Sequence, residues 1–238
     1  MKIALIGYGK MGMAIEEIAL QRGHQIVLKT NIDNLQDNSI KNIQGADVAI
    51  EFTGPESAFD NVTKCFDAGV PVICGSTGWL RHFDEARDYC YKKNGALLYA
   101  SNFSVGVNIL FAINRILASL MAPHKEYDVN ITEIHHTQKK DAPSGTAITL
   151  AEQVLEKVTR KKKWINEKSE DPEDITIFSD RIGMEPGTHR IHYHSEIDDL
   201  EIIHTAHNRK GFAKGAVLAA EFIHGKKGIF SMGDVLGI

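Results

Sequence analysis

The residues best equipped for chemistry lie in one block, Glu133-Ile134-His135-His136-Thr137-Gln138-Lys139-Lys140-Asp141-Ala142-Pro143-Ser144-Gly145-Thr146. A strand that delivers two adjacent histidines points their side chains in opposite directions. Lys139 follows, and Pro143 stands just before a Ser-Gly-Thr helix start. Such a start offers amide and hydroxyl donors to an anion. Histidine and lysine beside it can protonate a reacting centre or pair with a carboxylate. Spacing alone fits equally well one core and one surface histidine beside a capped helix, so it leaves both readings open.

A second constellation opens the chain. Gly7-Tyr8-Gly9-Lys10-Met11-Gly12 is a strict G-x-G-x-x-G between an apolar strand and a helix, the context that gives the motif meaning. The first glycine permits the tight turn, the second lets backbone approach a pyrophosphate, and the third lets helix pack on strand. Helix amides then face the phosphates along a favourable dipole. A ribose-reading side chain is expected about 20 residues on, where Asn31 and Asp33 are both candidates. Asp33 suits two ribose hydroxyls, whereas Asn31 would repel a 2′-phosphate less, with Lys29 close enough in sequence to support it. Gly75-Ser76-Thr77-Gly78 and Ala100-Ser101-Asn102-Phe103 follow strand ends and could line the nicotinamide and its ribose. His192 and His194 share a strand face near His189, but no acidic or cysteine partner stands at suitable spacing. No metal is expected.

These groups need elements to position them. Ile3 to Ile6, Ile26 to Leu28, Asp47 to Thr53, Val70 to Cys74 and Ala96 to Ala100 read as short buried strands. Helical spacing lies between them, at Met11 to Ala19, from Pro55 onward and over Arg81 to Lys93. That alternation implies βαβ units and a parallel sheet. After Ser101 the pattern changes. A long apolar helix from Val105 to Ala122 leads to a strand from Asp128 to His135, and Ser144 caps another helix. Arg160 to Asp174 reads as a charged loop, Thr188 to His194 and Leu200 to His207 as paired strands, and Ala216 to Phe222 as a helix. The expected fold is α/β, a Rossmann-type parallel-sheet domain plus a second α+β domain with a mainly antiparallel or mixed sheet. Residues 1–106 and 215–238 should form the dinucleotide domain, and residues 107–214 the substrate-binding and oligomerisation domain, with a cleft that closes on both ligands.

Bulk properties agree with a soluble enzyme. The chain has 238 residues, 43% hydrophobic and 24% charged, and a formal charge of −4, which gives no electrostatic case for nucleic acid. Cys65, Cys74 and Cys90 are odd in number and lack metal-ligand spacing, as suits a reducing cytoplasm. No stretch approaches the ~20 apolar residues of a membrane span, and the first residues are too short for a signal segment.

With these motifs in order, the sequence resembles the dihydrodipicolinate reductase family over its full length. The carriers are Gly7 to Gly12, Phe52-Thr53-x-Pro55-Glu56, Gly75 to Gly78, Asn102-Phe103-Ser104-Val105-Gly106-Val107-Asn108, the His135 to Thr146 block, Arg209, Gly211-Phe212-Ala213 and Gly215-Ala216. The resemblance implies reduction of a cyclic dicarboxylate by NADH or NADPH, with loss of water, in bacterial lysine biosynthesis. It implies His135 and Lys139 as proton-handling residues, and His136, Lys139, Ser144, Gly145 and Thr146 as carboxylate holders. It assigns Gly7 to Gly12, Gly75 to Thr77 and Ala100 to Phe103 to the cofactor, and implies a homotetramer built on the second sheet. Compared with longer family members, the glycine loop is one residue shorter and the acid after the second strand is displaced or replaced. The span from Asp180 to His204 is compressed, so fewer strands are expected in the second sheet. Two other classes remain: a related dehydrogenase acting on aspartate, which would lack the Lys139 to Thr146 block, and a non-catalytic dinucleotide sensor, which would need no proton donors.

Overall fold

A computed structural model describes residues 1–208 and 210–238; Arg209, one of the residues carrying the resemblance, lies outside them. The chain divides into two compact units, Met1–Val105 with Lys210–Ile238, and Gly106–Arg209.

The first unit begins β1 (Lys2–Ile6), α1 (Lys10–Gln21), β2 (Gln25–Thr30), a 3-10 segment (Ile32–Asp37), α2 (Ile40–Ile43) and β3 (Val48–Glu51). It continues through α3 (Ala58–Asp67), β4 (Val72–Cys74), a 3-10 turn (Leu80–His82), α4 (Phe83–Lys92) and β5 (Ala96–Tyr99). The second unit follows with α5 (Val105–Met121), β6 (Asp128–His135), α6 (Gly145–Lys157), β7 (Lys163–Ile165), β8 (Asp174–Arg181), β9 (Gly187–His194) and β10 (Asp199–Ala206). Then α7 (Lys210–Ile223), β11 (Gly228–Phe230) and α8 (Met232–Leu236) complete the first unit. Among the described residues no helix is long and apolar enough to cross a membrane.

In the first unit the order is β11-β5-β4-β3-β1-β2, all parallel. Alternate residues of each strand enter different cores. Ile3, Leu5, Val48, Ile50, Ile73 and Leu98 pack with α1 and α7, whereas Ala4, Ile6, Ala49, Val72, Cys74 and Leu97 pack with α3 and α4. Burial on both faces explains why these strands read as continuous apolar runs. Each fully buried aliphatic side chain contributes roughly 1.5–3 kcal/mol. The chain leaves β1 for β2 on one side and then crosses to β3 on the other. That reversal opens a crevice at the carboxyl ends of β1 and β3, the usual ligand site of such sheets. All three cysteines are free and buried.

The second unit has the order β10-β9-β6-β8-β7, with β6–β9 and β9–β10 antiparallel and β6–β8 and β7–β8 parallel. It is a mixed sheet. One face carries Val129, Ile131, Ile175, Ile177, Ile191 and Tyr193 against Val107, Leu110, Leu150 and Val154 of α5 and α6. On the opposite face Phe178, Thr132, Arg190 and Ile203 form one cross-strand row, with Phe178 and Ile203 exposed.

Several local expectations change. The charged stretch after Arg160 contains β7, which is short and pairs only with β8, so its side-chain pattern carries little period-2 signal. β8 itself, buried over Asp174 to Ile177, was hidden by its polar ends. Pro55 lies in a turn, and α3 starts only at Ala58. β11 is three residues long and extends the first sheet.

Gly215 shows how α7 seats. A Cβ there would lie 1.7 Å from the Phe103 carbonyl oxygen, so the helix meets the loop after β5 through a bare backbone. Glycine-to-alanine changes inside a helix usually stabilise by roughly 1 kcal/mol. Gly215→Ala is instead expected to lose at least about 2 kcal/mol through overpacking, read as a lowered urea midpoint at unchanged slope; a raised midpoint would contradict this packing.

Candidate active site

In the first unit the glycine turn is held from behind. Gly7 has φ +100°, and a Cβ on it would lie 2.0 Å from the Phe52 carbonyl oxygen. The amides of Gly7 and Tyr8 both donate to the Thr30 carbonyl, at 3.0 and 2.7 Å. That leaves the start of α1 to face a ligand. Gly9 is its N-cap and supplies no side-chain cap, so the first-turn amides have neither an intrahelical nor a capping acceptor. A Cβ on Gly9 would meet nothing within 4 Å.

Two cavities lie along this edge. One of about 650 Å³ is lined by Gly7, Tyr8, Gly9, Thr30, Asn31 and Leu35 together with Phe52, Thr53 and Gly54. The other, about 280 Å³, is lined by Met11, Phe52, Thr53, Gly54, Pro55, Gly75, Ser76 and Thr77. Between them they offer two rooms flanking a helix N-terminus, which fits a dinucleotide with its pyrophosphate on the helix. Of the two ribose candidates, Asn31 lines the larger cavity and Asp33 does not. Asn31 caps the 3-10 segment by accepting from the Asp33 amide at 2.8 Å. Lys29 is drawn away onto Glu16 at 2.6 Å and sits over the Tyr8 ring.

The structure does not bring every proposed cofactor residue to these walls. Lys10, Gly12, Asp33 and Ala100 to Phe103 are not among the residues lining either cavity. Phe103 is buried against Phe52, and Asn102 turns its side-chain oxygen to the Ser104 amide at 2.8 Å. Ser76 faces inward, accepting from the Thr53 amide at 2.8 Å and donating to Glu51 at 3.0 Å. Trp79 is fully buried and donates to the Ser76 carbonyl, as packing behind that loop. Phe52, Thr53 and Gly54 line both cavities and were not singled out as site residues by sequence; their signals were their place after β3 and the Phe52-Thr53-x-Pro55-Glu56 run that carries the resemblance.

In the second unit the apolar rows of the sheet give way to polar ones. Val129 and Ile131 of β6 face the helices, and Glu133 and His135 continue the same buried face. Register sets Glu133 beside Ser179 and His189, and His135 beside Arg181. Glu133 has no exposed surface. Both its oxygens lie 3.1 Å from the Ser144 amide, and Oε1 accepts from Arg181 at 3.1 Å. Its Oε2 lies 3.4 Å from His135 Nδ1 and 3.9 Å from His189 Nε2. Burial alone would raise the Glu133 carboxyl. Hydrogen bonds from Ser144 and Ser179, with His135 and Arg181 nearby, outweigh burial and hold it below its ordinary value. Burial also lowers the His135 imidazole, helped by Lys139 and Arg181 and opposed by Glu133 and Asp141. His189 is pushed down to about 3, chiefly by burial, and is therefore neutral.

Ser144 caps α6, its hydroxyl accepting from the Ala147 amide at 3.3 Å. Its Oγ also meets His189 Nε2 at 3.3 Å. Space is open in front of Gly145, where a Cβ would meet nothing within 4 Å. Lys139 Nζ lies 2.7 Å from both oxygens of Asp141, whose carboxyl is held below its ordinary value; burial opposes this and the lysine overcomes it. His136 is half-buried and stands just past the end of β6. Sequence reasoning passed over Arg181, Gly187 and the part played by Glu133. Strand parity was the available signal for Glu133, two residues beyond Ile131 on the core side. Gly187 leaves room for the His135 ring, since a Cβ there would lie 3.0 Å from His135 Nε2.

The strand histidines behave differently from one another. His192 pairs across the sheet with Asp199 at 3.1 Å and Glu201 at 3.6 Å, so acidic partners do exist, supplied by β10. His189 faces the other way, and Glu133, His135 and His189 place donor atoms within 4.8 Å of one another. A divalent cation can use that spacing, although a guanidinium and an amide already engage the carboxylate.

Among known proteins, the family profile "Dihydrodipicolinate reductase, N-terminus" matches residues 1–103, and "Dihydrodipicolinate reductase, C-terminus" matches residues 106–236. A curated 4-hydroxy-tetrahydrodipicolinate reductase from Christiangramia forsetii is 50% identical over 237 residues, covering 99% of this chain and 98% of its own. One from Neisseria meningitidis is 35% identical over 230 residues, covering 94% and 84%. The solved structure of a dipicolinate-bound dihydrodipicolinate reductase from Paenisporosarcina sp. TG-14 superposes with a TM-score of 0.74 at 23% identity, over 97% of each chain. That last likeness is one of fold.

Asn31 at the cavity wall makes nucleotide preference testable. Asn31→Asp adds a carboxylate to the wall of the larger cavity; with the adenine-side ribose held there, NADPH should weaken about tenfold relative to NADH. Fluorescence titration of each reduced nucleotide reads this directly, and equal changes for both would contradict the assignment of Asn31.

Proposed function

The chain belongs to the dihydrodipicolinate reductase family, and from that premise we propose that His135 and Lys139 carry the proton chemistry of its reaction. The chain is an oxidoreductase that uses NADH or NADPH to reduce 4-hydroxy-tetrahydrodipicolinate, by way of dihydrodipicolinate, to tetrahydrodipicolinate in the diaminopimelate route of lysine biosynthesis. The observation that carries this is 50% identity over essentially the whole of both chains. Neither an aspartate dehydrogenase nor a non-catalytic sensor is favoured.

The bound dinucleotide supplies the hydride. In our reading the first-turn amides of α1 take its pyrophosphate, Asn31 its adenine-side ribose, and the loops at Phe52 to Gly54 and Gly75 to Thr77 the other half. Lys10, Gly12 and Ala100 to Phe103 act by shaping that edge from behind.

The substrate carboxylates fall to the start of α6. Gly145 and Thr146 offer helix-N-terminal donors there and Ser144 its hydroxyl, with Lys139 and His136 as the cationic or polar partners. Dipicolinate, the ligand of the Paenisporosarcina protein, has two carboxylates on one ring, as this substrate class does. Lys139 leaves Asp141 for the incoming carboxylate. Once hydride has reached the conjugated imine, the resulting enamine needs a proton. His135 gives it, and the lysine stabilises negative charge as it develops. The buried His135 and the open space in front of Gly145, both tied to Glu133 (the latter through Ser144), support this division of labour.

We also infer a homotetramer in the cytoplasm. The exposed row of Phe178 and Ile203 on the uncovered sheet face supports self-association, and sedimentation should give the mass of four chains; a monomer would refute it.

His135→Gln is expected to cut kcat about 10²–10³-fold with nucleotide affinity nearly preserved. Lys139→Ala should lower kcat and also raise KM for the dicarboxylate about tenfold. The assay feeds pyruvate and aspartate semialdehyde through a synthase and follows loss of absorbance from each reduced nucleotide. Full turnover in His135→Gln would remove the proposed role.

A further inference from the structure

Burying a carboxylate is costly unless every lone pair is answered. Glu133 lies on the core-facing side of β6, in sequence with Val129 and Ile131, where an apolar residue would pack without penalty. Instead its carboxylate joins three parts of the second unit. One is the N-cap of α6, through the Ser144 amide at 3.1 Å. Another is the end of its own strand, where His135 Nδ1 lies 3.4 Å from Oε2. The third is the segment carrying Lys139, reached through Arg181, which donates to Glu133 Oε1 at 3.1 Å and also to the Asp141 carbonyl.

We infer that Glu133 is a positioning residue for the reduction: its carboxylate orients the His135 ring with Nδ1–H toward Oε2 and steadies the imidazolium, while fixing the carboxylate-binding start of α6. This rests on His135 being the proton donor.

The groups around the His135 ring decide the sign of its response. Glu133 on β6 and Asp141 in the following loop favour its protonated form. Lys139 in that loop and Arg181 on β8 oppose it, as does burial. His189 on β9 packs edge-on at 5.1 Å and is neutral, so it contributes no charge of its own. His204 lies beyond it on β10, paired in register with His189. Glu133 is thus the nearest negative charge in a buried, cation-rich setting. At 3.4 Å the two atoms are within ion-pair reach but form no hydrogen bond, and Nδ1 is buried without a hydrogen-bond partner, a contact left to tighten when substrate binds. His189 fills the remaining side, bonding the Ser144 hydroxyl at 3.3 Å, and Gly187 leaves the ring its room. Neither could replace the missing charge.

An acid catalyst loses activity as pH rises through its pKa. Taking away the charge of Glu133 lowers that pKa, so activity should fall away at lower pH. Glu133→Gln keeps size and one acceptor oxygen while deleting the charge. We expect its kcat/KM profile to lose its protonated limb about one pH unit lower than wild type. Its kcat should fall roughly 10²-fold, with nucleotide binding unchanged by fluorescence. Glu133→Asp should recover the wild-type pH profile in part, because charge returns although reach is shorter. Glu133→Gln/His135→Gln should have the kcat of His135→Gln alone, since the carboxylate acts on turnover through the ring, while its KM for the dicarboxylate rises through the loosened start of α6.

A wild-type pH profile in Glu133→Gln would overturn the inference, as would a double variant with kcat much lower than that of His135→Gln. Ring-nitrogen NMR of the unmodified enzyme tests the same point without any variant: neutral His135 should carry its proton on Nδ1, and a proton on Nε2 would overturn it. The two readings fail separately. Full activity in His135→Gln sinks the catalytic assignment, whereas an inactive His135→Gln beside an unaltered Glu133→Gln sinks only the positioning role.

Discussion

A charge without exposed surface must be matched donor by donor, and the second unit is organised around that demand at Glu133. The register of β6 against β8 and β9 brings Ser179, Arg181 and His189 to its edge. The cap of α6 adds a backbone amide. Slip β6 by one residue and Glu133 would turn to the opposite face, taking His135 with it. Packing of Val129, Ile131, Ile177 and Ile191 against α5 and α6 prevents that slip. The hydrophobic rows therefore fix where the polar rows stand, and the chemistry follows from the core.

The first unit repeats the construction at the end of β3. Glu51 is fully buried and accepts from the Thr53 amide at 3.0 Å, Ser76 Oγ at 3.0 Å and Cys74 Sγ at 2.9 Å. It joins the loop after β3 to the loop after β4, the two that line the smaller cavity. Burial, with Glu51 close by, raises the Cys74 thiol well above its ordinary value, so it stays a neutral donor. In each unit a buried acid at or near a strand's carboxyl end holds two loops in fixed relation. Ligand-facing backbone can then stay open without being slack.

Much of this was legible from sequence, and for identifiable reasons. Strands buried on both faces announce themselves as apolar runs, and the glycine turn is recognisable because only bare backbone fits against Phe52. The His135 to Thr146 block stood out through residue types that do chemistry. What escaped is mostly tertiary. Glu133 looked like one more polar strand residue until Arg181, forty-eight positions away, was brought to it. The partners of His192 likewise come from β10 and leave no local spacing to read. Short strands such as β7 and β11 carry too few residues for a period to emerge. Asn31 and Asp33 both follow β2, so sequence spacing does not rank them, and only Asn31 borders the cavity.

The central claim is that the helix start supported by Glu133 receives the dicarboxylate beside His135. A crystal structure of the chain with pyridine-2,6-dicarboxylate and reduced nucleotide tests it most directly. The account predicts one ligand carboxylate on the Gly145 amide and the Ser144 hydroxyl, with Lys139 transferred from Asp141 to the ligand. Dicarboxylate bound away from α6, with Lys139 still paired to Asp141, would contradict it.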